Sequence, residues 1–163
     1  SFSRFSISYT TRKQRASEVN GREYYFVDRD TFHKMITESH FLEWEEVHGQ
    51  LYGTPQKEVL HALQQGIDLF LDIDVNGALK VKERYRNACL IFVEPRSQDD
   101  LMKRLALRGE KEISLRMKRV SQEMEKKYLF QYCIINDKLE VAYRDFFKII
   151  EDVRREDNGK NHC

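Results

Sequence analysis

Short, almost uninterrupted apolar runs alternate along this chain with longer amphipathic stretches. Three runs stand out: IDLFLDI at 67–73, ACLIFV at 88–93 and YCII at 132–135. Runs of that length predict strands buried on both faces of a parallel sheet. Between them the period lengthens to that of a helix. One helix is predicted to begin at Pro55, with Thr54 as its N-cap, and to stop at Gly66. Another follows Ser97, whose Ser-x-x-Asp spacing to Asp100 resembles a capping box. A long charged helix is predicted from about Glu112 to Tyr128, and a last one from Leu139 to Val153. Strands alternating with helices imply an α/β domain with right-handed crossovers.

Residues 9–54 follow a different pattern. They hold Tyr24-Tyr25-Phe26-Val27, a short helix near 30–39, the run FLEWEEV at 41–47 and the turn HGQLYGT. Short strands and turns of this kind predict a small, partly antiparallel subdomain inserted into the α/β core. With two prolines and no Gly/Ser linker or repeat, residues 1–163 are expected to form one domain.

Composition narrows the function classes. Lys plus Arg is 28 and Asp plus Glu is 27, a net charge of +1 that argues against a protein coating nucleic acid. Charged residues at 34% beside 40% hydrophobic and 12% aromatic residues predict a soluble surface over a filled core. No apolar run approaches the roughly 18 residues of a membrane span, and SFSRFSISYTTR lacks the features of a signal peptide. Of three cysteines, Cys89 and Cys133 lie in apolar runs and are expected as buried free thiols; with Cys163 they suggest a reducing, cytoplasmic setting. The histidines lack ligand spacing with these cysteines, so no direct metal cluster is expected.

Four segments carry candidate chemistry. In Ser8-Tyr9-Thr10-Thr11-Arg12-Lys13-Gln14-Arg15, two arginines three apart stand beside hydroxyl residues. Guanidiniums bind oxyanions bidentately and keep their charge, so the segment suits a phosphate; a solvated basic loop is the alternative. Glu43, beside Trp44, and Thr54, after Tyr52-Gly53, form a second candidate. A half-buried carboxylate needs partners, and guanine offers two adjacent donors, N1–H and the 2-amino group, while Thr54 donates to O6. Adenine presents an acceptor at N1. An exposed strand carboxylate is the alternative for Glu43. In LDIDVNG, Asp72 and Asp74 end an apolar strand, where open α/β sheets bind ligands. Their expected partners are arginine or Mg²⁺, although Asp74 alternatively caps the following helix. Lastly, Arg104 and Arg108 share a helical face and Arg116 follows across a turn. Such a cluster can close on transferring phosphates, or form a solvated charged face.

Together these segments resemble the guanylate kinase family over essentially the whole chain. SISYTTRKQRASEVNGREYYFV, FLEWEEVHGQLYGTP, LDIDVNGA, RLALRG and IINDKLEVAY each look like family motifs, in family order. The resemblance implies a three-layer, nucleoside-monophosphate-kinase-like α/β fold with helices on both faces of a parallel sheet. It implies a GMP-binding subdomain over 9–68 and a helical lid over 104–119. Ser8, Arg12, Arg15, Tyr24 and Tyr52 would surround GMP, with the arginines and tyrosines on its phosphate, and Glu43 and Thr54 on its base. Asp72 would lie near the phosphates and Mg²⁺, touching the metal through water if at all, and Asp74 would help order the GMP site. Arg104, Arg108 and Arg116 would act as lid arginines, the first two on ATP.

The family's Gly-rich phosphate loop, of the GxxGxGK[ST] kind, has no counterpart in this sequence, and Lys13 belongs to a different motif. An upstream stretch of the parent is expected to supply it, and residues 1–163 alone are expected to be inactive. Arg108 and Arg116 also stand closer than in the family pattern. The implied activity is phosphoryl transfer from ATP to GMP by a monomer or homodimer, without nucleic acid or membrane as partner. The alternative is an inactive guanylate-kinase-like scaffold that binds phosphopeptides. Ser8 and the retained pair Asp72 and Asp74 favour the enzyme.

Overall fold

The computed structural model describes residues 2–107, 109 and 112–160. It divides into two compact units, one ending at Arg86 and the other starting at Asn87. The expected α/β class holds, with parallel pairs and a mixed sheet among helices.

The first unit contains strands β1 (Ser3–Phe5), β2 (Tyr9–Thr10) and β3 (Tyr25–Phe26), then helix α1 (Arg29–Thr37). The hairpin β4 (Phe41–Val47) and β5 (Gln50–Pro55) follows, then α2 (Gln56–Gln64), β6 (Asp68–Phe70) and α3 (Val75–Arg84). β1 and β6 pair in parallel, Arg4 opposite Leu69. The other four strands form a mixed sheet in the order β3-β2-β5-β4. Its hairpin turn is tighter than HGQLYGT suggests. His48 and Gly49 both have positive φ, 51° and 71°, and Val47 pairs with Gln50. A two-residue turn of that hand matches strand twist, so Leu51 to Thr54 belong to the strand.

Strand alternation gives the mixed sheet two distinct faces. One face packs on α1: Phe32 stacks on Phe41 at 4.5 Å between ring centroids, Tyr9 stacks on Tyr25 at 4.7 Å, and Leu51 completes the core. Gly53 lies against this core, because a Cβ there would stand 2.7 Å from the Phe41 ring. The opposite face carries Tyr24, Thr10 and Tyr52. A register shift between Phe41 and Glu43 joins the two: Phe41 pairs with Pro55, yet Glu43 pairs with Thr54. In regular alternation Phe41 and Glu43 would share a face. The bulge turns Phe41 into the core and Glu43 to the other side.

Thr54 is not the N-cap of α2. Pro55 takes that position without a side-chain cap, since the Thr54 hydroxyl is engaged within the sheet. Asp74 does cap α3, accepting from the Gly77 N–H at 2.8 Å.

In the second unit, β7 (Ile91–Glu94) pairs in parallel with β8 (Tyr132–Ile135); β8 matches its apolar run, while β7 starts three residues later than its run and ends one later. Helices α4 (Gln98–Leu107), α5 (Ile113–Met124) and α6 (Leu139–Lys160) complete it. Ser97 accepts from the Asp100 N–H at 3.1 Å, as the capping pattern predicts. The long charged helix ends early, at Met124, and a 3₁₀ turn covers Lys127–Leu129. The strands are not buried on both faces: Phe92 and Ile134 are buried, but Val93 and Ile135 are more than half exposed. The same alternation exposes Cys133, against expectation, and Cys89, just before β7, is half-buried. Cys163 lies outside the described residues.

Candidate functional site

On the face opposite the core, the mixed sheet carries Glu43, Tyr52 and Thr54 on its strands, with Arg12 and Tyr24 in the loop between β2 and β3. Among the described residues, four polar ones are buried: Ser8, Thr10, Glu43 and Thr54. The Thr54 hydroxyl donates to Glu43 Oε1 at 2.5 Å across the β4–β5 pair. Burial raises the Glu43 carboxyl above the ordinary carboxylate range; the Thr54 hydrogen bond opposes this and nearby Asp74 adds to it. Glu43 is therefore a buried acid whose hydrogen-bonded partner is a hydroxyl, and the exposed-strand alternative is ruled out. Lys80 instead ion-pairs with Glu45, two residues beyond.

The N-terminus of α3 closes this end of the site. A Cβ built on Gly77 would lie 2.6 Å from Glu43 Oε2 and 3.0 Å from Asp74 Oδ1. Glu43 thus rests directly on the glycine backbone.

The other end of the face is basic and aromatic. Thr10 Oγ1 accepts from the Arg12 N–H at 3.1 Å, which fixes the chain as it leaves β2. The Arg12 guanidinium lies 5.4 Å from the Tyr24 ring and 5.6 Å from the Phe26 ring. Tyr24 meets Tyr52 edge-on at 5.9 Å. Burial raises the Tyr24 hydroxyl above its ordinary value, and the negative charge of Asp72 raises it further, so Asp72 belongs to this end. Asp72 is exposed to solvent, yet surrounding protein desolvates its carboxyl enough to raise it.

Glu18 was not singled out from sequence, and it organises this end. Its carboxylate accepts from Arg12 Nη1 at 3.0 Å, from Arg12 Nη2 at 2.7 Å and from the Arg15 N–H at 2.8 Å. The Arg12 hydrogen bonds, with the Arg15 backbone, hold the Glu18 carboxyl down at about 2. The available signal was the spacing Arg12, Arg15, Glu18, an acid inside a basic loop. Arg12 Nη1 also donates to the Lys13 carbonyl at 2.8 Å. A further hydrogen bond joins Arg12 to the Tyr52 side chain, so the guanidinium is held between Glu18 and Tyr52. Arg15 keeps its guanidinium largely exposed. The solvated-loop alternative therefore fails for Arg12, which is anchored and mostly buried.

A family model for guanylate kinase matches residues 1–153. The guanylate kinase of Thermus thermophilus is 45% identical over 154 residues, 93% of this chain and 70% of that protein. The guanylate kinase of Shewanella violacea is 43% identical over 161 residues, 97% of this chain and 78% of that protein. The chain belongs to the guanylate kinase family. In three dimensions it resembles the crystal structure of guanylate kinase from Anaplasma phagocytophilum, with a TM-score of 0.76 and 33% identity. That likeness covers 93% of this chain and 74% of the other.

The lid arginines expected of a guanylate kinase lie in the second unit. Arg104, on α4, and Arg116, on α5, are both half-buried. Arg108 lies outside the described residues. Among the described residues, no three or more His, Cys, Asp or Glu side chains form a group able to hold a metal ion. No described helix is long and apolar enough to cross a membrane.

Proposed function

We propose that this chain carries the acceptor site and lid for transfer of the γ-phosphoryl group from ATP to GMP, giving ADP and GDP. The buried Glu43–Thr54 pair is the observation that supports this most strongly. A carboxylate desolvated against a hydroxyl gains most from a ligand that brings two adjacent donors. Guanine does so with N1–H and its 2-amino group. Thr54 has one hydroxyl hydrogen, now given to Glu43. Guanine binding supplies Glu43 with replacement donors and releases that hydrogen to O6. Adenine offers an acceptor at N1 and would leave Glu43 unpaired, a mismatch that can discriminate by roughly four to five orders of magnitude.

The phosphate of GMP would meet the Arg12 guanidinium, the exposed fork of Arg15, and the hydroxyls of Tyr24 and Tyr52. Ser8 lies nearby, and Asp74 keeps the N-terminus of α3 in place beside Glu43. Glu18 keeps the Arg12 fork aimed before the ligand arrives, so less ordering is required on binding. Phosphoryl transfer asks for positioning and charge neutralisation more than covalent chemistry. Arg104, Arg108 and Arg116 are the residues offered for the transferring group, the first two also for ATP.

Mg²⁺ suits this donor set only as an ion carried in with the phosphates, because a single exposed carboxylate, Asp72, fits its habit of keeping several waters. When bound, it would neutralise the phosphate oxygens. Asp72 itself would orient that hydrated ion from the Tyr24 side of the site.

A coupled assay of ADP release, on the full gene product carrying this chain, tests the reading. GMP should stimulate release and AMP should not, and Asp72→Asn should depress kcat more than GMP affinity. A folded, GMP-binding protein that releases no ADP, yet binds a phosphoserine peptide, would move the assignment to the scaffold class.

A further inference from the structure

The tightest approach in the acceptor site involves a residue without a side chain. Gly77 is the third residue of α3, and its N–H is held by the cap, Asp74. Its Cα faces Glu43 so closely that a Cβ would stand 2.6 Å from Oε2 and 3.1 Å from Cδ. Real side chains do not tolerate such distances, so one partner must move. The cap and the buried packing of Val75, Ala78 and Val81 fix α3. The Glu43 carboxylate is the end of a flexible side chain, but it is buried and held at its other oxygen by Thr54. It can yield only by turning away from the helix, which gives up the Thr54 bond or the plane in which its two oxygens point.

We propose that Gly77 is a specificity-positioning residue: its missing Cβ makes the seat that sets the plane of the Glu43 carboxylate, and so its fit to the paired N1–H and 2-amino donors of a guanine. The inference rests on the guanine reading of Glu43 and names what holds that residue in register. The seat is narrow. Alanine, ordinarily the better helix former inside a helix, is expected here to improve α3 while spoiling the site beside it.

The test compares GMP with inosine monophosphate by calorimetry. The latter keeps the phosphate, O6 and N1–H but lacks the 2-amino donor. The wild-type chain should prefer GMP. Gly77→Ala should lower GMP affinity roughly 10- to 100-fold, as for loss of a charge-assisted hydrogen bond, and affect inosine monophosphate much less, so the ratio collapses. Glu43→Asp shortens the acid by one methylene and draws it off the seat. In that background Gly77→Ala should cost little, and this double-mutant comparison also carries the test if Gly77→Ala alone folds poorly. An unchanged GMP preference in Gly77→Ala would overturn the inference while leaving the guanine reading intact. So would an equal cost of Gly77→Ala in the presence of Glu43 and of Asp at that position. A wild-type chain that cannot tell the two nucleotides apart would overturn both.

Discussion

The two ends of the acceptor face handle charge in opposite ways. At one end, Glu43 is buried beside a hydroxyl and a glycine, and its carboxyl is pushed up. At the other, Glu18 is clasped by Arg12 and the Arg15 backbone, and its carboxyl is held at about 2. The first acid is left short of donors and can gain them from a ligand. The second is already satisfied and serves as part of the scaffold. Two glutamates, one on a strand of the sheet and one in the loop after β2, thus divide recognition from support, and their surroundings decide which does which.

Removing the charge at the short-supplied end should break the comparison most severely. Glu43→Gln keeps an oxygen for Thr54 but presents an amide N–H₂ to guanine, so GMP affinity should fall on the order of 100-fold or more by calorimetry. The same substitution should stabilise the ligand-free chain. A carboxyl raised in the folded state binds protons more readily there than in the unfolded chain. Its contribution therefore falls as pH rises from the ordinary carboxylate value through the raised one. Melting temperature at neutral pH should be higher in Glu43→Gln than in the wild type. A lower one would mean that Glu43 serves the fold.

At the satisfied end, Arg12→Ala should cost roughly 1.5–3 kcal/mol of GMP affinity, the scale of a charge-assisted hydrogen bond. Guanosine, which lacks the phosphate, should change much less. Equal losses for both would make Arg12 a purely structural residue. A smaller effect belongs to Glu18. Its lowered carboxyl supports the fold fully above the ordinary carboxylate value, and that support is lost as pH falls toward about 2. Melting temperature against pH should show this loss in the wild type, and the curve of Glu18→Gln should be flatter over the same window. Matching curves would deny Glu18 its supporting role.

Much of the acceptor face was legible in sequence because side-chain type announces chemistry. Arg12, Glu43 and Thr54 are residue types whose groups need partners, Tyr24 and Tyr52 were implied by the family resemblance, and the sheet and its flanking loop bring them to one side. What the sequence hid is geometry. FLEWEEV read as regular alternation puts Phe41 and Glu43 on the same side, and only the bulge between them separates core from site. Thr54 reads as a helix cap by position, yet its hydrogen goes to a carboxylate across the sheet. Gly77 has no side chain to advertise its closeness to Glu43. Glu18 was not singled out, because its hold on Arg12 depends on how the loop after β2 folds back. In the second unit, apolar runs announced strands but not their exposure, since burial depends on what covers them, and so Cys133 was expected inside.

The central claim is that a buried acid paired with a hydroxyl reads the base, and calorimetric titration of the chain with GMP and with AMP addresses it most directly. Both nucleotides carry the same phosphate, so Arg12, Arg15 and the tyrosines serve them alike and any difference arises at Glu43 and Thr54. The account predicts GMP binding with AMP weaker by several orders of magnitude, up to the roughly 10⁴–10⁵ expected when a buried polar group is left unpaired. Equal affinities for GMP and AMP would contradict it.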